Sequence, residues 1–203
     1  MFKHLIAAAV VLGLGSTAFA GKYVLDTAHG EVGFKIKHLG ISTVRGKFND
    51  FNGTFEWDEA TGKLENLKAT IKTASIDTNN DKRDDHLRSP DFFNAKKNPT
   101  ITFTGKKVES ANNKPTKIIG DLTMNGITKE VALDVKYEGA TKNPWGQDVV
   151  GFEATGKVNR KDFGLTWNKT LETGGLLVGE EVTIEIAGEA NPEAKPAPPA
   201  KKK

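Results

Sequence analysis

The feature that most constrains this chain is a period of two. Val32, Phe34 and Ile36 alternate with Gly33, Lys35 and Lys37, and Val131, Leu133, Val135 and Tyr137 alternate with Ala132, Asp134 and Lys136. The same alternation runs through residues 67–72, 101–104, 152–159 and 182–187. Successive side chains of a strand point to opposite faces, so each segment has one apolar and one wet face, as antiparallel sheet requires. A helix-forming sequence would repeat its apolar residues at three and four instead.

Turn chemistry falls between these segments. Asn125-Gly126 separates Ile118–Met124 from Ile127–Tyr137, a strong signal for a two-residue hairpin. Asn52-Gly53 interrupts the run from Lys47 to Trp57 and is expected to mark a bulge. One stretch breaks the pattern: residues 78–88, TNNDKRDDHLR, are polar and helix-compatible. Ser89-Pro90-Asp91 then reads as an N-cap followed by proline at a first helical position, so one or two short helices are expected near 78–94. About eight strands with one small helical insertion must deal with their edges, and closure into a barrel removes them. A barrel of that size has an interior wide enough for one small ligand. The expected fold class is therefore all-β, an antiparallel eight-stranded barrel; the competing architecture is a two-sheet sandwich.

The two ends lie outside this pattern. Residues 1–20, MFKHLIAAAVVLGLGSTAFA, have a short basic start, an apolar run from Leu5 to Leu14 and small residues around Ala18-Phe19-Ala20. That reads as a cleavable signal peptide of bacterial type, so the mature protein is expected to start at Gly21 in the periplasm. Residues 191–203, NPEAKPAPPAKKK, hold four of the eight prolines and read as a disordered Pro/Lys tail, leaving 21–190 as the barrel domain. Lys201, Lys202 and Lys203 could make transient contact with anionic lipid headgroups. Setting aside Lys3, the four tail lysines, Glu189 and Glu193 leaves 24 basic and 24 acidic residues. A neutral body lacks the concentrated basic face of a nucleic-acid binder, so no nucleic-acid partner is expected. Cysteine is absent, which removes disulfides, thiolate metal sites and a cysteine nucleophile.

Candidate chemistry is sparse. His29, His38 and His86 have no tight metal-ligand spacing, and no metal or cofactor is expected. His38 follows Phe34 and Ile36 in phase and should point inward at a strand end. Asp84 and Arg88, four apart, could pair on one helical face, and the run around Asp84, Asp85 and His86 reads mainly as a solvated surface. No nucleophile elbow, phosphate loop or dinucleotide fingerprint is present. The aromatic residues say more. Most must be core, but Gly33, Ala69, Gly105, Gly120, Ala154 and Gly156 are small inward candidates that could leave a cavity. Each methylene buried in such a cavity is worth about 0.8 kcal/mol.

Several motifs in order then carry a resemblance: His29 to His38-Leu39-Gly40, Arg45-Gly46-Lys47-Phe48, Phe51-Asn52-Gly53-Thr54-Phe55, Ser75-Ile76-Asp77-Thr78-Asn79, His86-Leu87-Arg88-Ser89 with Asp91-Phe92-Phe93, Gly120-Asp121-Leu122-Thr123 with Asn125-Gly126, and Lys161-Asp162-Phe163-Gly164. The set, from about Lys22 to Gly188, resembles the YceI family of periplasmic, lipocalin-like lipid-binding proteins. Gly30 departs from the family's usual residue after the histidine, and the basic tail is no part of its pattern.

The resemblance implies an eight-stranded lipocalin-like barrel whose apolar cavity takes a long-chain amphiphile, typically an isoprenoid such as a polyprenyl phosphate or a quinone, without catalysis. Phe34, Ile36, Phe48, Phe55, Ile71, Phe103, Leu122 and Phe152 are the expected lining, with Trp145 and Trp167 near an opening. Arg45, His38, His86 and Arg160 are the expected head-group donors, because phosphate or quinone oxygens favour Arg or His. A strand outside the barrel could mediate a homodimer. Two other functions compete: a scaffold or stress-response barrel with a filled core, and a hydrolase using Asp84, Asp85 and His86.

Overall fold

The computed structural model describes residues 20–172 and 174–193. The expected leader, save Ala20, and residues 194–203 of the tail lie outside them. Among the described residues thirteen strands form in chain order. β1 (Ala20–Leu25), β2 (Glu31–His38), β3 (Ser42–Phe48), β4 (Phe51–Asp58), β5 (Lys63–Lys72) and β6 (Ile76–Asp77) precede the helix α1 (Asp81–Arg88). β7 (Thr100–Ala111), β8 (Lys114–Met124), β9 (Ile127–Lys142), β10 (Asp148–Asn159), β11 (Thr170–Leu171), β12 (Gly175–Leu176) and β13 (Val178–Pro192) follow.

Eight strands close a ring in the order β1-β4-β5-β7-β8-β9-β10-β13, with β13 pairing back onto β1. Every pairing is antiparallel, so the structure is a closed barrel, not a sandwich. β13 serves two neighbours on one side. Its first part pairs with β2, from Val178↔His38 to Ala187↔Glu31, and its end pairs with β1, from Leu25↔Ala190 to Tyr23↔Pro192. The strand therefore runs two residues into the segment expected to be tail, because Asn191 and Pro192 complete the ladder with β1. β3 and β6 continue outward from β2. The barrel is thus narrow and hydrogen-bonded at the β1 end and flared at the β2 end, where α1 and residues 89–99 fill the gap.

The switch from β1 to β2 alongside β13 is held by a polar clasp. Asp26 accepts from the Ala28 amide at 2.8 Å, His29 Nδ1 at 3.0 Å and Asn191 Nδ2 at 3.1 Å, while its own amide donates to Glu189 O at 2.9 Å. Gly30 and Gly188 let the chains pass: a Cβ on Gly30 would lie 2.7 Å from Asp26 O, and one on Gly188 would lie 3.0 Å from Gly30 Cα. The crossing thus leaves no room for a side chain at Gly30.

Local chemistry sets the other boundaries. Asn125 and Gly126 both adopt positive φ, 52° and 75°, the turn that the β8–β9 hairpin needs, with Met124 opposite Ile127. The bulge expected at Asn52-Gly53 falls instead between Thr54 and Glu56. Asn80 caps α1 by accepting from the Arg83 amide at 3.0 Å. Ser89, expected to open a second helix, is the C-cap of α1; its amide bonds His86 O and residues 90–93 and 95–97 form turns.

Hydrogen bonds from His29 and the Ala28 amide hold the Asp26 carboxyl down to about 2. The folded value lies below the ordinary one of 3.8, so the clasp stabilises above about pH 4 and that gain is lost as pH falls toward 2. Asp26→Asn should cost about 2 kcal/mol at pH 7 and much less at pH 2, read by urea denaturation at both values.

Candidate functional site

Inside the barrel lies a cavity of about 430 Å³, within the range of roughly 300–1,000 Å³ typical of ligand pockets. It runs from Trp57, Tyr137 and Val150 at the β1 end to His38, Trp167 and Val178 at the flared end. Between these points almost every lining group is a carbon side chain, from Phe48, Ile71, Phe103, Leu122, Val135 and Ile184 among others. Such a surface offers water no partner and an alkyl or isoprenoid chain a continuous one.

The narrow end is filled by aromatic rings. Tyr23 stacks on Phe55 at 5.5 Å, Phe152 meets Phe55 edge-on at 6.5 Å, and Trp57, 3% exposed, lies 5.9 Å from Tyr137. Lys114 sits 4.1 Å over the Tyr137 ring. Burial, with Glu59 beside it, pushes the Tyr137 hydroxyl up to about 12, and it donates to Glu59 at 3.3 Å. The flared end differs. Trp167, His38, Leu177 and Val178 are half-buried there, and Lys37 is both exposed and part of the lining. This end is the mouth.

Polar side chains gather at the mouth. His86 on α1 meets Trp167 edge-on at 4.8 Å and Phe92 at 5.0 Å, and its Nε2 lies 2.9 Å from Asp91. Arg83 donates from Nε and Nη2 to the hydroxyl and carbonyl of Thr78, both at 2.7 Å. Arg160, in the 3-10 turn Arg160–Phe163, is only 3% exposed. Its Nε donates to Gly179 O at 2.8 Å and its Nη1 to Leu165 O, but Nη2 has no partner. Burial pulls this guanidinium below its ordinary value, with Glu180 opposing. It forms no ion pair among the described residues, so a cation with an unused donor sits in the wall of the cavity.

Twelve of the fourteen residues singled out from the sequence line this cavity: Phe34, Ile36, His38, Phe48, Phe55, Ile71, His86, Phe103, Leu122, Phe152, Arg160 and Trp167. Two do not. Arg45 is out of phase with the inward Val44 and lies on the outer face, 67% exposed, bonding Glu185 at 2.8 Å beside Lys35. Trp145 is 82% exposed in the β9–β10 hairpin at the narrow end, its amide bonded to Asn143 Oδ1. Val182, Ile184 and Ile186, whose alternation marks their strand, also line the cavity, as do Leu25, Trp57 and Thr78, none of them among the expected lining residues. The expected small inward residues behave in two ways. Ala69 and Ala154 line the cavity, but Gly120 lies under the Phe103 ring, Gly105 under Leu67 and Gly156 under Leu133. These glycines let large neighbours lie along the wall.

The acidic run on α1 also differs from expectation. Asp84 is buried, 4% exposed, and accepts from both the amide and the hydroxyl of Thr78; Asp85, not Asp84, pairs with Arg88 at 3.1 Å. Asp84, Asp85 and His86 therefore engage three different partners and do not converge. One further trio, Asp26, His29 and Glu189, lies within 4.8 Å at the clasp, and its Asp26 oxygens are already engaged. Asp84→Ala leaves the Thr78 amide and hydroxyl without an acceptor, which should cost about 2 kcal/mol in urea unfolding and loosen α1 in hydrogen exchange.

Comparison with known proteins agrees with this architecture. The family model described as YceI-like domain matches residues 23–190. A UPF0312 protein of Staphylococcus epidermidis is 42% identical over 171 residues, 83% of this chain and 96% of the relative. One of Pseudomonas aeruginosa is 44% identical over 173 residues, 81% and 88% respectively. The crystal structure of a Campylobacter jejuni YCEI protein, 41% identical, superposes with a TM-score of 0.68 over 84% of this chain and 97% of that one. The fold also matches, at 12% identity and a TM-score of 0.60, a polyisoprenoid binding domain from Saccharophagus degradans, over 86% of this chain and all of that one. On the family match and the 42–44% identities, the chain belongs to the YceI-like domain family.

Proposed function

We propose that this protein holds a long-chain isoprenoid lipid, of the polyprenyl phosphate or quinone type, in the barrel cavity and carries or sequesters it in the periplasm without chemistry on it. The observation that carries the reading is the cavity itself: an apolar tube filled by aromatic rings at one end, with its polar side chains gathered at the other. A long apolar chain gains about 0.8 kcal/mol per methylene on entering such a tube, less the cost of ordering it. Length and apolarity supply the affinity; the mouth supplies what selectivity there is. Arg160 Nη2, His86 and His38 are the donors available to a head group, Arg160 after a small local shift that opens its buried Nη2. The description of the Saccharophagus degradans domain as polyisoprenoid binding supports the same class of ligand. The periplasmic placement rests on the leader sequence of residues 1–20.

Native mass spectrometry of protein taken from its own cell envelope, followed by organic extraction, tests the reading. A stoichiometric adduct with the mass of a polyprenyl or quinone lipid is expected, on a chain that starts at Gly21. Apoprotein that also refuses added polyprenyl lipid overturns it. Ala154→Phe, which projects a ring into the cavity, should leave the protein folded by circular dichroism and lower lipid uptake at least tenfold.

A further inference from the structure

The mouth carries an apolar rim that the cavity does not use. Five large apolar residues are exposed among the described residues, and four of them, Leu39, Ile41, Ile127 and Leu176, lie at the flared end. Ile41 is 84% exposed. Leu39 and Ile41 belong to the β2–β3 turn, in which Ile41 N donates to His38 O. Leu39 N donates to Leu177 O at 2.9 Å, which joins this turn to the β11–β12 hairpin carrying Leu171 and Leu176. His38, Leu177 and Val178 line the cavity, so the rim is continuous with the cavity wall.

The backbone adds a second observation. Leu39 has φ 56°; every other non-glycine residue with positive φ among the described residues is an asparagine. Asparagine adopts the left-handed region readily, and leucine does so only at a cost. The turn thus keeps a strained residue whose side chain points out into water. Such strain clusters at working surfaces.

We propose that this rim docks on an anionic phospholipid bilayer, so that lipid passes between membrane and cavity through the mouth. This docking rests on the cavity holding lipid, as proposed above. A chain crossing water would expose every methylene it later buries, and a rim sunk into the headgroup region removes that barrier. Charge agrees with this occupant. The rim segments 37–43 and 168–178 hold Lys37 and Lys169 against Glu172, and neither lysine has an ion pair among the described residues. Glu193, the last described residue, bonds through its amide to Lys22 O at the narrow end, opposite the rim.

Co-sedimentation with phosphatidylethanolamine/phosphatidylglycerol vesicles tests the docking. The full chain should sediment with the vesicles. Ile41→Asp should weaken this at least about tenfold, as loss of one large buried aliphatic group implies. Leu39→Asn should weaken it too, with a melting temperature unchanged or raised, which separates loss of docking from loss of fold. Replacing Lys201, Lys202 and Lys203 by Gln should have little effect. Neither rim residue lines the cavity, so both variants should bind a soluble short-chain prenyl alcohol as the parent does. The docking is overturned if the parent stays in solution, if the rim variants sediment unchanged, or if the tail lysines alone account for sedimentation. A concentration-dependent dimer abolished by Ile41→Asp, without vesicle binding, assigns the rim to a second copy and also overturns it. If the parent refuses the prenyl alcohol yet sediments through the rim, the cavity reading fails while the docking stands.

Discussion

The ladder along β13 is what the other elements depend on. An antiparallel sheet of this length has two edges, each a row of unpaired amides and carbonyls. β13 closes the ring by pairing with β10 on one side and with β1 and β2 in succession on the other, and leaves an open edge only where β3 and β6 extend past β2. The change of partner happens where Gly30 meets Gly188 and where the Asp26 clasp fixes the crossing. A single unbroken first strand would have made an even cylinder. The break lets the sheet flare at one end, and that flare is what α1 and the loop 89–99 cover.

The hollow follows from how the wall is built. A ring of eight strands has room for its own side chains, and many such barrels are solid. Here large residues lie along the wall because their neighbours lack a Cβ: Phe34 passes over Gly46, Phe103 over Gly120 and Leu133 over Gly156. Volume that upright side chains would have taken from the axis stays open. Aromatic rings close the far end, where Tyr23, Phe55, Trp57, Tyr137 and Phe152 meet.

Strand faces, the Asn125-Gly126 hairpin and most of the cavity lining were legible in the sequence, because alternation and turn chemistry are local signals. That is why Phe34, Phe103 and Leu122 could be placed inward from their own segments. Arg45 and Trp145 were misplaced for different reasons. Arg45 breaks the phase set by Val44 and Gly46, a signal present but outweighed by its charge. Trp145 belongs to a loop, and nothing local tells which end of a barrel a loop occupies. Asp84 looked solvated because the burial comes from Thr78 and the β6 segment folding over it, a contact the helix alone cannot reveal. The split pairing of β13 was equally hidden, since it depends on two strands lying end to end.

A tube plugged by rings at one end and open at the other imposes an order on traffic. Whatever long molecule lies inside went in with one terminus leading and must come out with the other leading. In a molecule that fills the tube, the last-buried atoms lie beside Arg160, His86 and Trp167. The barrel therefore distinguishes the two termini of a molecule before it distinguishes one molecule from another. Two such barrels, or a barrel and a surface, can exchange contents only by meeting mouth first.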